Sequence, residues 1–351
     1  MRKRVAVTIW IVAAVLGIVI ARPFAADEPY KLIKDVQIGG EGGWDYLNVD
    51  SAGKRLYISH ATKVVVFDTS NDTIAGEITD TPGVHGAVAT TAGRVVVSNG
   101  RGGNASIVDA KTLQTISKVP TEANPDFIMF DPGRKEVYTF NGTGRSATVI
   151  DPATEKVVAT IPLGGKPEAG VSDPAAKRVY VNIENKNTIA VIDTATHTVV
   201  ANWPIAPGEE AAGLAIDLKN HRLFVGAHNN LMLMLDSTDG KVMAQVPIGA
   251  GVDATQFDPG TGYAFSSCGD GTLTIAHEDS PGKLTVVQTL TTERGARTMG
   301  LDPVTHRIYV AAARYETPAA PPAGAAPAPG RGRPSMVPNS MHLLVYGING
   351  K

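Results

Sequence analysis

The chain has 351 residues, a formal net charge of −2 and a single cysteine, Cys268. A near-neutral balance gives no general pull toward nucleic acid or an anionic membrane. One thiol excludes an internal disulfide framework and a cysteine-rich metal cluster.

Met1-Arg2-Lys3-Arg4 is basic, and Val5 to Ala21 is apolar and uncharged, the make-up of a secretory leader. Residues 1–26 are expected to be a signal peptide or, if retained, an N-terminal anchor. The body is then periplasmic or secreted. After the leader, helix-forming periodicity gives way to Val, Thr, Gly and Asp, as in an all-β chain.

A repeat follows. Asp closes an apolar run at Asp68, Asp109, Asp151, Asp193 and Asp236, in steps of 41 to 43 residues. A second series precedes it at Asp50, Asp131, Asp173, Asp217, Asp258 and Asp302. After each of these comes a β-rich run such as RLYIS, EVYTF, RVYVN or RIYVA. A period of 40 to 45 residues made of short strands and turns marks the blades of a propeller. The expected fold is all-β: a seven-bladed β-propeller with four-stranded blades. The blades fall at roughly 40–78, 79–119, 120–161, 162–203, 204–246, 247–290 and 291–351, in one domain over 30–351.

The last blade has three runs of its own, and the segment from Lys31 to Ile38 supplies its missing outer strand. The ring is thus closed by an N-terminal strand, which removes open sheet edges. Residues 318–338 are rich in Pro and Ala and form a flexible loop within that blade.

Alignment of the blades also locates a face. The start of each first strand and the end of each second strand meet near the axis. At the first position the blades carry Asp45, His85, Asp126, Glu168, Ala212, Asp253 and Arg297. At the second they carry His60, Asn99, Asn141, Glu184, His228, Ser267-Cys268 and Ala312. Convergent ionisable groups in a cleft mark a binding site. The expected ligand-binding set at the channel mouth is Asp45, His60, His85, Asn99, Asp126, Asn141, Glu168, His228, Asp253 and Arg297. Asp45, His60 and His85 are the best candidates for a metal, and a divalent cation is the one cofactor such a set would hold. Trp44 is placed either to stack on a ligand or to cap the first blade. Cys268 reads as a small buried apolar residue with no base beside it. The Pro-rich loop joins the second and third strands of its blade, on the same face.

The runs RLYIS, RVYVN and RIYVA, each followed by a turn and a VFD or VID strand, resemble the YVTN repeat. Over residues 31–351, outside the Pro-rich loop, the chain is similar to the YncE family of secreted seven-bladed propellers. The resemblance implies the fold more than a function. It brings DNA binding from one branch of the family and lactonase activity from another group with similar blades. Quinoprotein propellers share a D-x-x-T-G-K-x-x-W docking motif. Here the nearest stretch, Asp236 to Ala244, ends in Ala244 where that motif has Trp, which argues against a quinone site.

No nucleophile elbow, Walker loop or dinucleotide fingerprint occurs. The sequence therefore points to a ligand-binding or interaction module rather than an enzyme, taking a small molecule or a protein loop at the channel mouth. The alternative is a metal-assisted lactonase or lyase on the same face. Nucleic acid is disfavoured because the acidic ring repels phosphate. Membrane contact is expected only through a retained leader, and a closed ring predicts a monomer.

Overall fold

A computed structural model of the chain describes residues 28–316 and 335–350. The expected leader and most of the Pro-rich loop lie outside them. No helix of the described residues is long and apolar enough to cross a membrane.

β1 (Tyr30–Gln37) precedes the first blade in sequence. Blade 1 comprises β2 (Trp44–Asp50), β3 (Arg55–His60), β4 (Lys63–Asp68) and β5 (Thr73–Ile78). Blade 2 comprises β6 (Val84–Ala89), β7 (Arg94–Asn99), β8 (Asn104–Asp109) and β9 (Thr115–Pro120). In blade 3 these are β10 (Pro125–Asp131), β11 (Glu136–Asn141), β12 (Ser146–Asp151) and β13 (Lys156–Pro162). Blade 4 has β14 (Pro167–Asp173), β15 (Arg178–Ile183), β16 (Thr188–Asp193) and β17 (Thr198–Pro204). Blade 5 has β18 (Ala211–Asp217), β19 (Arg222–Ala227), β20 (Leu231–Asp236) and β21 (Val242–Pro247). Blade 6 has β22 (Val252–Asp258), β23 (Tyr263–Cys268), β24 (Thr272–Ser280) and β25 (Lys283–Thr291). Blade 7 adds β26 (Met299–Asp302), β27 (Arg307–Ala312) and β28 (His342–Ile348). Each blade is one four-stranded antiparallel sheet. The seventh runs β1-β28-β27-β26, so the N-terminal strand closes the ring as the repeat predicts.

The repeated aspartates explain themselves as turn chemistry. Asp131 Oδ1 accepts the N–H of Gly133, and Asp217 Oδ1 accepts that of Lys219. Asp258 and Asp302 cap their turns in the same way, as Asx turns do. The residue that ends each turn sits at positive φ: Lys54, Lys135, Lys177, His221 and His306. The aspartate series of Asp68, Asp109, Asp151, Asp193 and Asp236 closes the second β-hairpin of the blade. Arg55 pairs with Asp68 at 2.7 Å and Arg222 with Asp236 at 3.2 Å, each from opposite positions on adjacent strands.

The core is divided into seven apolar layers, one between each pair of neighbouring blades. Phe140 and Val181 lie in the layer between blades 3 and 4, and Tyr309 and Ile58 in the one that seals blade 7 to blade 1. The innermost strands pack closest. A Cβ on Gly170 would stand 2.3 Å from the Phe140 ring, so only glycine lets β14 approach there. Cys268 is fully buried in the layer between blades 5 and 6, and burial pushes its thiol up to about 12. Trp44 packs into the blade 7–blade 1 layer.

Candidate functional site

Six of the seven innermost strands carry a register shift at the same place, just after their first residue. Asp45, His85, Asp126, Glu168, Ala212 and Asp253 each fall within that shift. A bulge leaves a residue outside the ladder, breaks the in-and-out alternation and re-aims its side chain. Here it turns those side chains toward the axis. In blade 7, Arg297 stands two residues before β26.

Blades 1 to 3 bring three of these groups into contact. His85 Nδ1 lies 2.5 Å from Asp45 Oδ2 and 3.2 Å from Asp126 Oδ1. Serines fix the backbone around them. The Asp45 N–H donates to Ser59 Oγ at 2.8 Å, and Ser98 Oγ donates to the Asp126 carbonyl at 2.7 Å. In blade 4, Lys166 Nζ bridges Glu168, at 2.5 Å, and Glu184. Across the ring Arg297 Nε meets Asp253 Oδ2 at 2.6 Å. In blade 5, His228 Nε2 lies 3.0 Å from the Val252 carbonyl, with Glu210 3.7 Å from its other nitrogen.

Beneath this rim the channel has an aromatic floor. Tyr46 of blade 1 and Phe127 of blade 3 meet edge to face with centroids 4.8 Å apart, although blade 2 separates them in the ring. They therefore meet past the inner edge of blade 2, where Gly86 carries no side chain. Phe127 stacks in turn near Phe140. The Tyr46 hydroxyl donates to Glu168 Oε2 at 3.2 Å and so ties blade 1 to blade 4.

Burial dominates the electrostatics. It pushes Asp126 up to about 6 against the lowering charge of His85. It likewise pushes Asp253 up to about 6 against Arg297. Glu168 rises to about 8, through burial and then the Asp126 charge, with the Lys166 ammonium working against both. For His85 burial acts downward. The hydrogen bond to Asp45 and the charges of Asp126 and Asp45 outweigh it, and the ring reaches about 9. Carboxylates held above their ordinary range beside paired cations are typical of sites that bind or react.

Three expected members lie elsewhere. His60, Asn99 and Asn141 pair with the first residues of β2, β6 and β10 and point into the blades. Asn141 donates to Ser146 and Thr148, and Asn99 to Asn104 and Ser106. His60 is 1% exposed beneath the glycine-rich stretch 39–43, and neither ring nitrogen has a hydrogen-bond partner. A Cβ on Gly40 would come within 2.5 Å of that ring. The expected trio of Asp45, His60 and His85 is therefore corrected: Asp126 takes the place of His60. Glu184 and His228 do reach the rim, because each stands one residue beyond the end of its strand. A shift of one residue exchanges the faces.

Lys166, Tyr46 and Phe127 were not foreseen. Lys166 precedes its strand, outside the aligned column. Tyr46 and Phe127 follow the aligned aspartates, where only the bulge brings both residues of a pair toward the channel.

No family model matches the chain. It is 30% identical over 110 residues to the uncharacterised protein YncE of Salmonella typhi, and equally to that of Salmonella typhimurium. The matched stretch is 31% of this chain and 30% of those relatives, so the similarity spans under a third of their length. Among solved structures, a chain of Kuenenia stuttgartiensis hydrazine synthase superposes with a TM-score of 0.70 at 17% identity, over 77% of this chain and 92% of that one. A chain of the mitotic checkpoint complex gives 0.71 at 12% identity, over 86% and 96%. At such identities the likeness is one of fold alone.

Proposed function

We propose that the chain is a binding module that takes a small polar ligand, or the tip of a protein loop, at the channel mouth. One observation carries this reading. Six bulges turn the strand starts toward one point, and charged groups from different blades meet there over the Tyr46–Phe127 floor. The rim offers both signs: Lys166 and Arg297 on blades 4 and 7, carboxylates between them. A ligand bearing both charges would match it. Phosphate-rich nucleic acid would meet Asp45, Asp126 and Asp253 and be repelled. The basic leader supports export to the periplasm or the medium, and the closed ring supports a monomer.

Calorimetry with a panel of amino acids, sugar acids and diamines tests the reading. Saturable binding that is weakened at least tenfold by Lys166→Ala or Arg297→Ala is expected. Absence of saturable binding, or binding indifferent to both variants, overturns it. The convergence of Asp45, His85 and Asp126 favours a second reading, a metal-assisted lactonase or lyase on this face. Turnover of a lactone panel, lost in Asp126→Asn, would support it over simple binding.

A further inference from the structure

We propose that Asp45, His85 and Asp126 together hold a first-row divalent transition cation, Mn²⁺ or Zn²⁺, through one oxygen of each carboxylate and the His85 Nδ1. The inference rests on the reading of the mouth as the binding site and names one component of it.

The three donors come from the starts of three consecutive innermost strands, β2, β6 and β10, and all lie within 4.8 Å of one another. Donors bound to one such ion at about 2.0–2.2 Å stand roughly 3 Å apart. His85 Nδ1 already lies 3.2 Å from Asp126 Oδ1 and 2.5 Å from Asp45 Oδ2. A ring nitrogen carries one proton and here faces two carboxylate oxygens. A cation satisfies both at once and removes the repulsion between them.

The far side of the imidazole supports the same assignment. His85 Nε2 and Asn124 Oδ1 lie together over Gly100, 2.6 and 2.9 Å from where its Cβ would stand. An Nε2–H facing that oxygen keeps its proton when a cation displaces the one on Nδ1, which frees the Nδ1 lone pair toward the carboxylates. An outer partner of this kind fixes the tautomer of a metal-binding histidine.

Donor chemistry selects the ion. Ca²⁺ takes six to eight oxygens, and the trio offers two carboxylates and a nitrogen. That mixture suits a borderline cation. Three protein ligands leave a position open, as in sites that bind substrate rather than brace a fold. The three side chains keep 15 to 27% of their surface exposed, so the open position faces the mouth.

The test uses the purified chain, stripped with chelator and titrated with Mn²⁺, Zn²⁺ and Ca²⁺ separately. One equivalent of Mn²⁺ or Zn²⁺ is expected at micromolar concentration, with a rise in melting temperature and no response to Ca²⁺. His85→Gln and Asp126→Asn should each lose at least tenfold in affinity. His277→Gln, in the exposed His277–Asp279 pair of blade 6, should change nothing. Equal uptake by all variants means an adventitious ion only and overturns the proposal, as does absence of uptake by the wild type. If a variant does not fold, Mn²⁺ relaxation of imidazole protons in the wild type decides. Broadening centred on His85 supports the site, and broadening centred on another histidine overturns it. Organic ligands bound by the stripped protein, with no cation uptake, would remove the cation and leave the mouth reading intact.

Discussion

The two ends of the same innermost strands behave differently. At the face away from the mouth six of the seven strands end alike, in an aspartate that caps its own turn, and β6 ends in Ala89. Asp131, Asp217, Asp258 and Asp302 are each at most 3% exposed; all four accept N–H groups of their own turns, and Asp131, Asp258 and Asp302 also bind Ser172, His306 and Ser51 of the next blade. At the mouth the strands start differently, and several of their charges find partners on other blades, as His85 does with Asp45 and Asp126 and Arg297 with Asp253. Polarity that recurs from blade to blade and caps its own turn serves the fold. Unrepeated polarity paired across blades costs burial of charge, and the proposed binding site lies where it collects.

The largest expected effect breaks the far end. Asp131→Ala removes the acceptor for Gly133, Arg134 and Ser172, and a buried cap of this kind is worth about 3 kcal/mol. Urea unfolding should record that loss while calorimetry shows ligand affinity unchanged. Altered affinity would mean that the two ends are not separate.

Next comes a residue near the mouth that belongs to the fold. Asn141→Ala leaves Ser146 and Thr148 without their donor and should cost about 2 kcal/mol. Binding by the folded fraction should not change. A binding defect would return Asn141 to the rim.

The mouth itself should respond to pH. Glu168 is raised to about 8 in the folded chain, so the folded state holds its proton longer than the unfolded one. That contribution to stability is complete below the ordinary carboxylate range and is lost as pH rises through about 8. Stability of the wild type should fall between pH 5 and 9, and Glu168→Gln should flatten the decline. A variant that keeps the full slope would assign the titration elsewhere.

The smallest effect is a gain. His221 holds φ at 57° in a far-face turn, a conformation that glycine adopts without strain. His221→Gly should stabilise by about 0.5 kcal/mol in the same urea assay and leave binding untouched.

Much of the molecule is legible in its residues. The recurrence of Asp68, Asp109, Asp151, Asp193 and Asp236 sets the period, and the period sets the seven blades. The capping aspartates mark the strand ends, and the unmatched run near the N-terminus marks the closing strand. These features are local: a turn, a cap and a strand each depend on residues close in sequence. The same alignment picks out Asp45, His85, Asp126, Glu168, Asp253 and Arg297 as the residues that differ from blade to blade.

Side-chain direction and partners were decided by the tertiary structure. Alternation along a strand cannot say that Asp126 turns inward while Asn141, paired beside it, turns into the blade, because a one-residue bulge resets the phase. Nor can spacing join Tyr46 to Phe127, or Tyr46 to Glu168, 122 residues apart. Those contacts exist only because closure of the ring brings opposite blades to a common axis. The repeat determined the ring and its strand ends through local turn and pairing chemistry. The charge pairs and the aromatic floor were set by closure, which puts residues far apart in sequence within a few ångströms of each other.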